Sequence, residues 1–115
     1  MSDFVTLKCN ADFRRLYNRG KTVTDPALVI YYSKNRAGIC RIGITTSKKI
    51  GNAVERNRSR RLLKEAFRSV CPQVSPCYDI VIVARSKTKY VKSTRLAEIM
   101  QRIFSEQGML ITGEQ

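Results

Sequence analysis

The sequence predicts a single-domain α+β sandwich whose elements run helix, strands, helix, strand, helix. Three observations carry this reading. Apolar residues recur at helical spacing in three places: at Phe13, Leu16 and Tyr17, from Leu62 to Val70, and from Leu96 to Phe104. Runs rich in β-branched and aromatic residues lie between them, at 28–32, 39–46 and 78–85. A chain of 115 residues suits one hydrophobic core and leaves no room for a second domain.

Each element has its own signals. The first helix begins at Asn10, a candidate N-cap, and stops at Gly20. Asp25-Pro26 is a turn signal, after which Leu28, Val29, Ile30, Tyr31 and Tyr32 read as a strand. Residues 34–38 read as a hairpin loop, with 39–46 as the returning strand. Asn52 followed three residues later by Glu55 has the form of a capping box, opening the longest helix. That helix runs to about Val70 and is stopped by Pro72. Residues 74–76 are loop, and 78–85 is nearly all apolar, as in a strand covered on both faces. The last helix ends near Gly108, which leaves 108–115 as a candidate disordered tail.

Charge narrows the partner. Lys and Arg total 22 against 9 acids, a net charge of +13. So basic a chain repels itself, and a polyanion that sheds condensed counterions on binding is its natural complement. The longest apolar run, Ile80 to Ala84, is far too short to span a membrane, and Met1 to Asn10 holds no signal-peptide core. The expectation is a cytoplasmic protein with no membrane partner. Cys9, Cys40, Cys71 and Cys77 are then reduced thiols, most of them buried and inert; their spacing fits no zinc site and the chain has no histidine.

The long helix carries the sharpest signal. At about 100° per residue, Leu62, Leu63, Ala66, Phe67 and Val70 form one stripe, while Asn57, Arg61, Lys64 and Arg68 lie opposite. Arg58 and Arg60 flank the polar face, and Arg56 falls near the apolar side, so it must lie past the edge of the core or snorkel to water. Between Lys48 and Arg68 there are eight basic residues and two acids, Glu55 and Glu65. Solvated helix faces usually mix signs, whereas this one is almost wholly positive and rich in arginine, which grips phosphate with two parallel donors.

A second surface follows from strand alternation. Val29 and Tyr31 share one face, with Leu28, Ile30 and Tyr32 on the other; Arg41, Gly43 and Thr45 lie opposite Ile42 and Ile44. The Val29 and Thr45 face suits an open, mildly basic strand surface beside Phe13 and Tyr17. The residues allow two roles for these aromatics, stacking on single-stranded bases or closing a small core. No catalytic residue and no metal site is expected, because the acids are scattered and histidine is absent.

The stretch from Ser47-Lys48-Lys49-Ile50-Gly51-Asn52 through Arg56-Asn57-Arg58 to Phe67-Arg68 resembles the signature of the bacterial ribonuclease P protein family. Asn10-Ala11-Asp12-Phe13 with Tyr17 resembles that family's first helix, Arg41-Ile42-Gly43-Ile44 its third strand and 78–85 its fourth. The resemblance implies an α-β-β-β-α-β-α sandwich of the kind seen in the second domain of ribosomal protein S5. It also implies a left-handed βαβ crossover, against a right-handed preference of about 98 %. It further implies a subunit of an endoribonuclease holoenzyme that matures tRNA 5′ ends, with chemistry carried by the RNA subunit and its magnesium ions. The protein itself would bind no cofactor and need no obligate protein partner. Its RNA-subunit contacts would be Lys48, Lys49, Arg56, Asn57, Arg58, Arg60, Arg61, Lys64 and Arg68. Phe13, Tyr17, Val29, Tyr31 and Thr45 would border the cleft for the 5′ leader of precursor tRNA. The main alternative is a ribosomal-type structural RNA- or DNA-binding protein. A stand-alone metal nuclease lacks a ligand pattern, and a membrane-surface protein would need the apolar helix face that the core requires.

Overall fold

The computed structural model describes residues 4–111. In chain order the elements are β1 (Phe4–Thr6), α1 (Asn10–Arg19), β2 (Lys21–Thr24), β3 (Leu28–Lys34) and β4 (Cys40–Thr45). They continue with α2 (Ala53–Val70), β5 (Tyr78–Ala84) and α3 (Ser93–Glu106). Short 3-10 turns at Lys48–Ile50, Cys71–Gln73 and Thr88–Tyr90 join the later elements. The five strands form one sheet in the order β1-β4-β5-β3-β2.

That order corrects the expected hairpin between β3 and β4. β5 lies between them, antiparallel to β3 and parallel to β4, so that Ile82 faces Ile30 on one side and Ile44 on the other. The cause is burial. β5 is the most apolar strand, and the centre of the sheet is the one place where both its faces are covered. The true hairpin is β2–β3, turned at Asp25, whose carboxylate accepts from the Ala27 amide at 2.9 Å. β1 adds an N-terminal strand to the expected order. At three residues it is too short for a readable alternation, and its parallel pairing with β4 is wholly tertiary.

Two boundaries also move. Cys9, not Asn10, occupies the N-cap of α1, and its carbonyl accepts from the Asp12 amide at 3.0 Å. The expected tail is docked in its first part: Met109 is buried, Leu110 bridges to Val74, and the Ile111 amide donates to the Gln73 carbonyl at 2.7 Å. Residues 112–115 lie outside the described residues. Of the cysteines, Cys40 and Cys71 are buried, Cys77 is half-buried and Cys9 is exposed. Burial pushes the Cys40 thiol up to about 12, which keeps it protonated and unreactive.

The sheet separates two cores. Leu28, Ile30, Ile42, Ile80 and Ile82 face α2 and α3, where Phe67 meets Phe4 and Phe104 edge-on at 5.3 and 6.2 Å. On the other face, Leu7 and Val81 receive Leu16 of α1, with Phe13, Tyr31 and Val83 at the margin. One charge sits in the central strand. Asp79, 1 % exposed, is gripped by Arg41 at 2.7 and 2.8 Å, by Arg15 of α1 at 2.6 Å and by Asn35 at 2.7 Å. The bidentate contact holds the Arg41 guanidinium above its ordinary pKa, and the cluster ties α1, β4 and β5 together.

Asp79→Ala should strand three donors around the vacated site. The expected loss is about 2–3 kcal/mol, below the about 3–5 kcal/mol of a fully buried pair because both guanidinium groups keep part of their hydration. Chemical denaturation checks this, and a loss below about 1 kcal/mol would mean that the cluster does not anchor α1.

Candidate nucleic-acid interface

The start of α2 is built with unusual care. Gly51 has φ +142, and a Cβ there would lie 2.0 Å from the Glu55 carboxylate, so only glycine fits. Asn52 then caps the helix: its side chain accepts from the Glu55 amide at 2.9 Å, while Glu55 accepts from the Asn52 amide at 3.0 Å. The other Glu55 oxygen takes the Lys89 ammonium at 2.9 Å, and Lys89 also donates to the Ile50 carbonyl at 2.9 Å. Lys89 holds the Glu55 carboxyl below its ordinary pKa, and Glu55 in turn holds Lys89 above its own. Arg56 does not reach outward from its awkward position. It folds back to the Gly51 carbonyl at 2.7 Å and remains half-buried.

Beyond this joint the helix divides cleanly. Ser59, Leu63, Ala66, Phe67 and Val70 are buried; Leu62, expected in the core stripe, is only half-buried. Leu62 still packs against the core from its edge, and Ser59 lies on the inner face, its hydroxyl donating to the Glu55 carbonyl at 3.0 Å. Asn57, Arg58, Arg60, Arg61, Lys64 and Arg68 are exposed, as are Lys48 and Lys49 on the preceding turn. Asn57 steadies Arg60, accepting from its guanidinium at 3.0 Å. Arg60 and Lys64 rim a small hollow floored by Phe4, Ile42 and Ile44, while Arg58 and Arg61 stand together on the other side with Leu62 and Glu65.

None of these outer cations forms an ion pair with an acid among the described residues. Among the described residues, the ion pairs join Asp12 and Asp79 to Arg15, Asp79 to Arg41, and Glu55 to Lys89. The remainder join Glu98 to Arg95, and Asp25 and Glu106 to Arg102. Glu65, the acid on α2 itself, accepts from the Ser93 hydroxyl at 2.6 Å. Among the described residues the outer face of α2 is therefore a concentration of positive charge that forms no ion pair, with Glu65 the one acid beside it.

The second surface lies on the α1 side of the sheet. Phe13, Tyr17 and Thr45, with Asn10 and Arg14, line a cavity of about 480 Å³. Tyr31 joins it through an edge-on contact with Tyr17, ring centroids 4.9 Å apart. Val29 is half-buried on the same strand face but does not line the cavity. Arg41, expected to make this face basic, is spent on Asp79; the cation at the groove is Arg14, at the helical spacing i, i+4 from Asn10. The sequence signal for Arg14 was the series Asn10, Phe13, Arg14, Tyr17, which shares one side of α1. Gly43 was also missed. A Cβ on it would lie 2.5 Å from the Phe13 ring, so the absent side chain is what lets Phe13 seat against β4.

Comparison with known proteins decides the family. The family profile for Ribonuclease P matches residues 1–108. The chain belongs to the ribonuclease P protein family. A curated relative, the ribonuclease P protein component of Clostridioides difficile, is 48 % identical over 84 residues, covering 72 % of this chain and 74 % of its own. The RNase P protein of Staphylococcus aureus superposes with a TM-score of 0.79 at 30 % identity, over 92 % of this chain and 97 % of that one. The RNase P protein from Thermotoga maritima gives 0.77 at 26 % identity, over 94 % and 98 %. The ribonuclease P fold is thus a mixed α+β domain with a five-stranded sheet, here with the cationic helix on one face and the aromatic groove beyond the other.

Gly43→Ala tests the seating of Phe13 directly. Overpacking of this kind is expected to cost about 1–3 kcal/mol of stability, measured by thermal unfolding. Unchanged stability would mean that Phe13 does not rest on β4.

Proposed function

We propose that this chain is the protein subunit of a ribonuclease P holoenzyme, binding the catalytic RNA through α2 and the 5′ leader of precursor tRNA through the α1 groove. The observation that carries the proposal is the uncompensated outer face of α2. Arg58, Arg60, Arg61, Lys64 and Arg68, with Lys48 and Lys49 on the turn before, offer a folded RNA a dense set of phosphate donors. Arg56, half-buried, serves that face by fixing the helix start, and Asn57, exposed on it, by orienting Arg60.

The groove supports the second half of the reading. Phe13 and Tyr17 present rings beside Thr45, with Arg14 at hand for phosphate and Tyr31 bracing Tyr17 from behind. Stacking there is indifferent to base identity, as suits leaders of varied sequence. A leader contact favours precursor over mature tRNA, so product is released while substrate is held.

Hydrolysis of the phosphodiester is assigned to the RNA subunit and its magnesium ions. Among the described residues no group of acids could hold a metal ion, and the carboxylates of Asp12, Asp25, Glu55 and Asp79 are occupied by guanidinium or ammonium groups. The protein's part is to screen phosphate repulsion and to position the substrate.

A reconstitution assay tests both halves. Added to a bacterial ribonuclease P RNA at low magnesium, the protein should restore 5′ maturation of precursor tRNA, and alone it should cut nothing. Phe13→Ala with Tyr17→Ala should weaken precursor binding by about tenfold or more and leave mature tRNA binding unchanged. Cleavage by protein alone would overturn the accessory role; equal losses for precursor and mature tRNA would overturn the leader groove.

A further inference from the structure

The flank of α2 that faces the start of α3 holds another cavity. Arg58 and Leu62 form one wall, and Lys89, Tyr90, Val91, Lys92, Ser93 and Thr94 form the other, around about 630 Å³. The Lys89 ammonium is already spent on Glu55 and the Ile50 carbonyl. Arg58 and Lys92 are different: both are exposed, and neither belongs to an ion pair among the described residues. Lys92 immediately precedes α3, whose first turn contains no acid to balance it.

Between these cations lies Tyr90, 79 % exposed and the most exposed large hydrophobic side chain among the described residues. Its only ring contact there is the neighbouring Lys89 ammonium, 5.3 Å from the centroid. A bare aromatic ring between two cations that lack counterions recognises a flat π-system carrying negative charge. An unpaired nucleotide has that chemistry, a base to stack and a phosphate to pair. An acidic peptide would match the cations and leave the ring unused.

We infer that this cavity holds one unpaired nucleotide of the RNA that covers α2. Its phosphate lies between Arg58 and Lys92, and its base stacks on Tyr90. The inference rests on the RNA-binding role proposed above and gives it a direction. From the outer face, the RNA continues over Arg58 toward the start of α3.

Affinity for ribonuclease P RNA is measured for Tyr90→Ala, Tyr90→Phe, Lys92→Ala and, in parallel, Arg61→Ala with Arg68→Ala. Tyr90→Ala is expected to weaken binding about five- to tenfold, with Tyr90→Phe within about twofold of the parent because the ring is kept. Both Tyr90 variants should unfold at the parent temperature, since the side chain packs on little. A photoreactive benzophenone at position 90 should crosslink to the RNA subunit at a single-stranded residue. Unchanged affinity for Tyr90→Ala and Lys92→Ala, beside a clear loss for the Arg61 and Arg68 variant, would overturn the nucleotide site and leave the α2 interface standing. No loss for any variant would overturn the RNA-binding reading as well. A crosslink confined to the precursor leader, or Tyr90-dependent binding to vesicles of anionic phospholipid in place of RNA, would also overturn the inference.

Discussion

The placement of carboxylates governs this molecule. A net charge of +13 on so small a domain must be distributed without tearing the fold apart. Asp79 holds Arg15 and Arg41 at the centre of the sheet, Glu55 holds Lys89 at the start of α2, and Asp25 with Glu106 holds Arg102 on α3. Each acid is used where a cation helps join one element to another or steadies a helix. Among the described residues the cations on the outer face of α2 form no ion pair, so their repulsion is left for a partner to relieve. Paired and unpaired charge are thus segregated, and that segregation supports the proposal that the face is a binding surface.

The sheet keeps the two candidate surfaces apart. Alternate residues of β3, β4 and β5 send Ile30, Ile42 and Ile82 toward α2 and α3, and Tyr31, Gly43 and Val81 toward α1. The groove therefore forms on one side of a stiff platform and the cationic helix packs on the other. Asp79 spans the arrangement, since Arg15 carries α1 while Arg41 belongs to β4. A change in that cluster reaches the groove without touching a groove residue.

Much of this was legible in the residues. The helices showed their 3.6-residue repeats, β3 and β5 their β-branched runs, and the Asn52–Glu55 box appeared as read. The illegible parts were those set by distant partners. β1 and β2 are too short to show alternation, and no local pattern says that β5 inserts between β3 and β4. Asp79 hides in a strand that reads as apolar, so the neutralisation of Arg41 could not be anticipated. Lys89 has no local signal, since only folding brings it 2.9 Å from Glu55, 34 residues earlier in the chain. Gly43 and Arg14 show the same limit at the groove: one matters by lacking a side chain, the other by the face of α1 it shares with Phe13 and Tyr17.

The claim that α2 is a phosphate-binding face is tested most directly by salt. Affinity for ribonuclease P RNA, measured across ionic strengths, should fall steeply for the parent protein. For a variant carrying Arg61→Ala, Lys64→Ala and Arg68→Ala, the slope of log affinity against log salt should shrink by about 0.7–0.9 per lost phosphate contact, about two in all. An unchanged slope in that variant, with the fold intact, would contradict the account.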